Sequence, residues 1–214
     1  ATKSDMEYAN EENVIGFVGA KDTAAVINDS AVGFIEGAQF VDPDVKVLVS
    51  YVGSYVDSAT AKELAITQYS NGADVVFVAA GPASVGVIEA AAESKKYCIG
   101  VDSDQSGIIG EDITVTSAMK GLAPTVKTAL DAIKDGNWES DYAGKIDNLG
   151  LVSENPEDNY VQLPMDTTQW DDNFTVDDYK DLVSKLYNGE ITVSNDITAL
   201  PETEIAVNDY GSIK

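Results

Sequence analysis

Apolar residues in the first hundred positions come in short unbroken runs: VIGFV at 14–18, KVLVSYV at 46–52, VVFVAA at 75–80 and YCIGV at 97–101. Between them the apolar period lengthens to that of a helix. Residues 27–41 offer Phe34, Ala38 and Val41 for one face, residues 58–71 offer Ala61, Leu64, Ala65 and Tyr69, and a third helix is expected over 84–94. The turn sequences DPD at 42–44 and NGAD at 71–74 stop the first two helices. Continuous rather than alternating apolar strands are those buried on both faces. Strands alternating with helices therefore predict an α/β fold, a parallel sheet flanked by helices. The four runs end in GAKD, GSYVDS, AAGPAS and VDSDQ. In such sheets the carboxyl ends of the strands form the ligand crevice, so these polar termini are expected to share one rim.

After Gln105 the rhythm changes. A short strand is expected at 113–117, then a long helix over 119–135 that tolerates Gly121 and Pro124 in its first turns, closed by DGNW. Two strand-like pieces follow, 146–152 and 159–163, then the acidic loop PMDTTQWDDNFT. The last predicted helix, 175–188, has Thr175 as its N-cap, acids at 177 and 178 in its first turn and Gly189 as its stop.

Composition narrows the chemistry. The 214 residues carry 13 basic and 37 acidic side chains, net charge −24, with no arginine and no histidine. Nothing here would neutralise a phosphate backbone or an anionic membrane surface, and no guanidinium fork is available for an anionic ligand. A neutral polar ligand suits the chain better. With no histidine and one cysteine, Ser-His-Asp, Cys-His and His-metal mechanisms are excluded within it. Cys98 lies inside an apolar run and is read as a small core residue. No apolar stretch reaches the ~18 residues of a membrane span. The loop DTTQWDDNFTVDD lacks the alternating ligands and turn glycine of a calcium loop, so no metal and no cofactor is expected.

The stretches NVIGFVGAKD, VGFIEGAQFVDPDVKVLVSYVGSYVDSATAKELA, GADVVFVAAGPASVGVIEAA, YCIGVDSDQ, ITVTSAMKG and LVSKLYNGEITVSND, in that order from about residue 13 to about 195, resemble the basic membrane protein family. These are substrate-binding lipoproteins of ABC transporters, similar to purine nucleoside receptors. The resemblance implies a type I periplasmic-binding-protein fold, with this chain supplying essentially the second lobe and C-terminal elements. Residues 1–112 would form the second-lobe sheet, 113–145 a strand and helix that pack on a first lobe, and 146–214 the C-terminal strands, acidic loop and helix. Most of the first lobe, a signal peptide and a lipid-bearing cysteine would lie outside the chain. The helix at 119–135 would then carry an uncovered apolar face (Leu122, Val126, Ala129, Leu130, Ile133), which predicts self-association through it or its rearrangement.

The same resemblance points to ligand-binding residues. Asp102, at a strand end, would accept hydrogen bonds from the vicinal hydroxyls of a ribose; otherwise it caps the turn. Gly81 would let backbone approach the ligand, or serve only a tight turn. Tyr55 would stack on a base, or pack over the sheet edge. Lys120, read as the start of the long helix, would reach a ribose hydroxyl or pair with Asp102. Asp104 and Gln105 are adjacent candidates, and Asp57 is read as a helix cap.

The implied function is an extracytoplasmic, membrane-anchored solute-binding protein of an ABC importer. It would take a nucleoside, with a purine favoured, by lobe closure, and pass it to permease subunits. It would be no enzyme and bind no nucleic acid. Two alternatives stand beside it. In a nucleoside-processing enzyme, Asp102 and Asp104, two residues apart on an extended strand, would form an acid-base pair. The other is the effector-binding core of a transcription regulator.

Overall fold

The computed structural model describes residues 6–147, 149–194, 196 and 198–212. The chain forms two compact units. The first comprises Ala1–Gly100, Gln105–Val115 and Val193–Lys214; the second comprises Val101–Asp104 and Thr116–Thr192.

In the first unit, β1 (Val14–Gly19), β2 (Lys46–Tyr51), β3 (Val75–Ala79) and β4 (Tyr97–Asp102) alternate with α1 (Ala25–Val41), α2 (Ser58–Ser70) and α3 (Ser84–Ser94). A short α4 (Ser106–Ile109) leads to β5 (Thr114–Lys120). Strands β4, β3, β1 and β2 pair in that order, all parallel, and β7 (Ala206–Ser212) adds a further parallel strand beside β2. On the other side Cys98 N donates to Ile113 O at 2.8 Å, which ties β4 to the segment entering β5. The α/β class and the mostly parallel sheet expected from the sequence are both present.

Alternation along β1 assigns the helices to their faces. Gly16 lies under the Gln68 side chain of α2, and Phe17, one residue on, faces Phe34 of α1 with ring centroids 6.4 Å apart. The strands are thus covered by α1 on one side and by α2, with α3 packed against it, on the other. Gly86 of α3 has no room for a Cβ, because the carbonyl of Ser58 already occupies the place; that contact sets how closely α3 meets α2. Phe17, Phe34, Phe77 and Tyr51 form an aromatic core under α1.

Of the face expected for α1, Phe34 joins the aromatic core and Ala38 is half-buried, while the end of the stripe fails. The buried residues of α1 are Ile27, Ala31, Val32 and Ile35, while Val41 stands in solvent. Helix α2 buries Ala61, Ala65 and Tyr69 as expected, together with Gln68, an amide that the apolar pattern passes over.

In the second unit, the end of β5 pairs antiparallel with β6 (Val161–Gln162). Around this ladder lie α5 (Leu122–Asp135), α6 (Trp138–Asp141) and α7 (Val176–Tyr187). Helix α7 starts on a capping box: Thr175 Oγ1 accepts from Asp178 N, and Asp178 Oδ2 accepts from Thr175 N. Trp170 stacks on Tyr179 at 5.5 Å and joins the acidic loop to α7. Helix α5 starts at Leu122 rather than 119, because β5 runs on through Lys120. The strand expected over 146–152 is absent among the described residues, Asn148 lying outside them, and the one expected over 159–163 shrinks to the two residues of β6. Of the α5 stripe, Leu122, Val126, Leu130 and Ile133 are 57–60% exposed; the buried residue of α5 is Ala132, outside that stripe.

Candidate functional site

Within the first unit, the carboxyl ends of β1, β2 and β3 lie side by side. Ala20 N donates to Ala79 O at 3.0 Å, and Val52 N to Gly19 O at 2.8 Å, so the three strands leave the sheet together. Beyond β3 the chain turns sharply into a single 3₁₀ turn, Gly81–Ala83, with Gly81 at φ +57°, a left-handed conformation open to glycine at little cost. Ala83 N donates to Tyr55 O at 2.9 Å, which locks the segment after β2 to this turn. A Cβ on Gly81 would lie 3.4 Å from Tyr55 Cδ1. Lys21 Nζ sits 5.9 Å from the centroid of the same ring. Gly81, Tyr55 and Lys21 therefore form one group, with the tyrosine partly exposed. Asp57 is the cap of α2, accepting from Thr60 N at 3.0 Å and Thr60 Oγ1 at 2.8 Å. These bonds to its charged form hold its pKa below the ordinary carboxylate value.

Gln105 precedes α4, and its carbonyl accepts from Ile108 N and Ile109 N at 2.9 and 2.8 Å. Its backbone thus caps α4.

Within the second unit, Asp102 closes β4 in a left-handed conformation, φ +71°. Outside glycine this is an uncommon conformation, tolerated best by Asn and Asp. Its Oδ1 lies 2.6 Å from Lys120 Nζ, and the two side chains are 46% and 40% exposed. Lys120 ends β5, so the pair is built from two strand ends, not from a strand and a helix start. An ion pair this exposed adds little to stability. Among the described residues Asp102 Oδ2 has no partner, and the ammonium keeps two N–H donors beyond the one aimed at Asp102. The open carboxylate oxygen can accept from one hydroxyl, and the spare ammonium N–H groups can donate to its neighbour.

Asp104 is held by Thr167, whose Oγ1 donates to Oδ2 at 2.8 Å. Thr167 and its neighbour Thr168 are absent from the residues expected on sequence grounds. A threonine pair in a polar loop carries no signal of its own, and the contact spans 63 residues of chain. Among the described residues no cluster of three or more carboxylates or cysteines is arranged to hold a metal ion. Burial raises the Cys98 thiol to about 12, so it is a neutral core side chain at physiological pH.

The sequence matches the family profile described as ABC transporter substrate-binding protein PnrA-like over residues 8–196. Basic membrane protein D of Borreliella burgdorferi is 34% identical over 162 residues, covering 72% of this chain and 47% of that protein. The ABC transporter nucleoside-binding protein BmpA of Lactococcus lactis is 31% identical over 205 residues, covering 86% of this chain and 54% of that protein. The chain thus spans about half the length of the curated relatives it matches. Among solved structures, an ABC transporter solute-binding protein from Conexibacter woesei shares the fold with a TM-score of 0.64 at 20% identity, covering 88% of this chain and 59% of that one. A transcriptional activator of the comK gene from Bacillus halodurans shares it with a TM-score of 0.66, also at 20% identity, covering 85% and 59%.

Proposed function

The chain belongs to the family of PnrA-like ABC transporter substrate-binding proteins, and from that membership we propose that it is the ligand-holding lobe of an extracytoplasmic receptor for a nucleoside, with a purine favoured. The observation that carries the reading is the Asp102–Lys120 pair at 2.6 Å on two strand ends. Its open carboxylate oxygen and spare ammonium donors match the two vicinal hydroxyls of a ribose. Asp104 flanks the pair in sequence, and Tyr55, Gly81 and Gln105 are the further ligand candidates that the family resemblance offers. The name of the Lactococcus relative, a nucleoside-binding protein, supports this ligand class. The net charge of −24 and the lack of arginine favour a neutral nucleoside over a nucleotide.

Function is capture and release, with no bond made or broken. In the full-length receptor, lobes close over the ligand and present it to permease subunits, and a lipid anchor holds the receptor at the membrane. The exposed α5 stripe is the surface on which a further lobe packs, or on which the isolated chain self-associates. The likeness to a transcriptional activator lies in the fold alone.

Titration calorimetry with inosine, guanosine, adenosine, cytidine and ribose, followed by chromatography of the recovered ligand, tests the proposal. A purine nucleoside should bind and return intact, and Asp102→Asn or Lys120→Ala should weaken it at least tenfold. Recovery of free base would replace the receptor reading with an enzyme. Absence of heat with every ligand, in this chain and in the full-length protein, would overturn the ligand class.

A further inference from the structure

One turn is bonded both to the segment that carries Asp102 and to the strand that ends at Lys120. Thr168 N and Thr168 Oγ1 both donate to Pro164 O, at 3.2 and 2.7 Å, which closes the turn 164–168. Trp170 Nε1 donates to Met165 O at 2.9 Å, and its ring stacks on Tyr179 of α7. From this turn two adjacent hydroxyls reach in different directions. Thr167 Oγ1 donates to Asp104 Oδ2 at 2.8 Å, two residues beyond Asp102. Thr168 Oγ1 lies 2.7 Å from Thr116 Oγ1, on the strand that ends at Lys120. A hydroxyl has one proton, and that of Thr168 is spent on Pro164 O, so Thr116 is the donor and Thr168 the acceptor. The bond to Asp104 is charge-assisted and the stronger of the two.

We propose that the turn 164–168 is a latch that sets the Asp102–Lys120 geometry, with Thr167, Thr168 and Asp104 as positioning residues that act through the pair. Asp102 sits at φ +71°, a conformation that its surroundings must maintain, and its segment is tied into the second unit by Lys120 and by Thr167. Removing the Thr167 hydroxyl takes away the charge-assisted bond to Asp104 Oδ2 and loosens the 101–104 segment. The Asp102 carboxylate then leaves the position from which it pairs with Lys120. The importance of the pair for a nucleoside rests on the function proposed above; the mechanical coupling does not.

The experiment separates the two. Lysines of the whole chain are reductively methylated with ¹³C-formaldehyde, and the Lys120 resonance is assigned by its loss in Lys120→Gln. Its position is compared in the unsubstituted protein, in Asp102→Asn (pair broken), and in Thr167→Val, Thr168→Val and Thr167→Ser. Inosine affinity is titrated on the same unmethylated proteins. The latch predicts that both valine variants move the Lys120 resonance toward its Asp102→Asn position and weaken inosine at least tenfold, while Thr167→Ser keeps both unchanged. Circular dichroism confirms that the compared variants are folded. A lowered Tm with the Lys120 resonance and inosine affinity both unmoved in Thr167→Val would overturn the latch and leave the turn a structural element only. If the unsubstituted chain and the full-length protein bind no nucleoside, the receptor proposal fails, and the resonance alone still decides the latch.

Discussion

Asp74, at the foot of β3, is almost fully buried, and its Oδ2 accepts from Asn10 N at 3.3 Å. Burial penalises its charged form and raises its pKa above the ordinary carboxylate value. Between the unfolded and the folded pKa the folded state holds a proton that the unfolded chain has released. Asp74's contribution is most favourable below the unfolded pKa and is lost as pH rises through the folded one. Asp74→Asn should raise Tm at pH 7 relative to the unsubstituted protein and lose that advantage near pH 4, as read by calorimetry at the two pH values. Asp57 has the opposite sign, since the Thr60 N–H and hydroxyl lower its pKa. Its cap is fully present above the unfolded value and is lost as pH falls through the folded one. Asp57→Ala should lower Tm at pH 7, and the difference should shrink in acid. Gln68 is 1% exposed, with Nε2 donating to Phe17 O and Ser50 Oγ and Oε1 left without a partner beside Gly16. An orphaned buried acceptor costs about 1–3 kcal/mol. Gln68→Met should therefore change stability by less than about 1.5 kcal/mol despite losing two hydrogen bonds, whereas Gly16→Ala, which drives a methyl into the amide, should cost more; denaturant midpoints measure both.

At the scale of elements, the strands were legible because a two-sided parallel sheet forces unbroken apolar runs, and all four runs of the first hundred residues become strands. Helix existence was equally plain, but the full extent of each buried face was not. The period placed Phe34 correctly on the core side of α1, but it passed over Ile27, Ala31, Val32 and Ile35, the fully buried positions, and included Val41, which stands in solvent. The last strand, β7, carries Asn208, Asp209 and Tyr210 among its apolar residues, and only its partner β2 reveals it as a strand. The residue types at the strand ends were readable from sequence; the strand rather than helix placement of Lys120 and the contact of Thr167 with Asp104 were not, because both depend on pairings far apart in the chain. Helix α5 gives an element-scale prediction. Leu130→Lys and Val126→Glu, on its exposed stripe, should change stability by less than about 1 kcal/mol. Ala132→Glu, which forces a charge against the buried side, should cost upward of about 2 kcal/mol. Urea titrations of the three variants read the contrast.

Across the whole molecule the dominant physical quantity is the net charge of −24. Uncompensated carboxylates repel one another more in the compact state than in the extended chain. Salt shortens the reach of that repulsion from about 30 Å at 0.01 M to about 3 Å at 1 M. Tm should therefore rise steadily from 0.01 to 1 M sodium chloride, and by a similar amount with potassium chloride, because the effect is screening and not site binding. A fall in Tm would show that attractive pairs such as Lys62 with Glu89 and Glu93 outweigh the repulsion.

The pairing of β7 with β2 also imposes an order in time. Strand β2 is complete once Tyr51 has been made, but its outer edge is paired, among the described residues, by Ala206–Ser212. As the chain leaves the ribosome, the strands β1 to β4 can assemble while that edge presents unpaired N–H and C=O groups to any neighbouring nascent chain. The seating of β7 on β2 thus has to follow the synthesis of the strands that form the centre of the sheet. A chain stopped short of residue 206 would keep its core strands and helices, yet be the species most prone to aggregate.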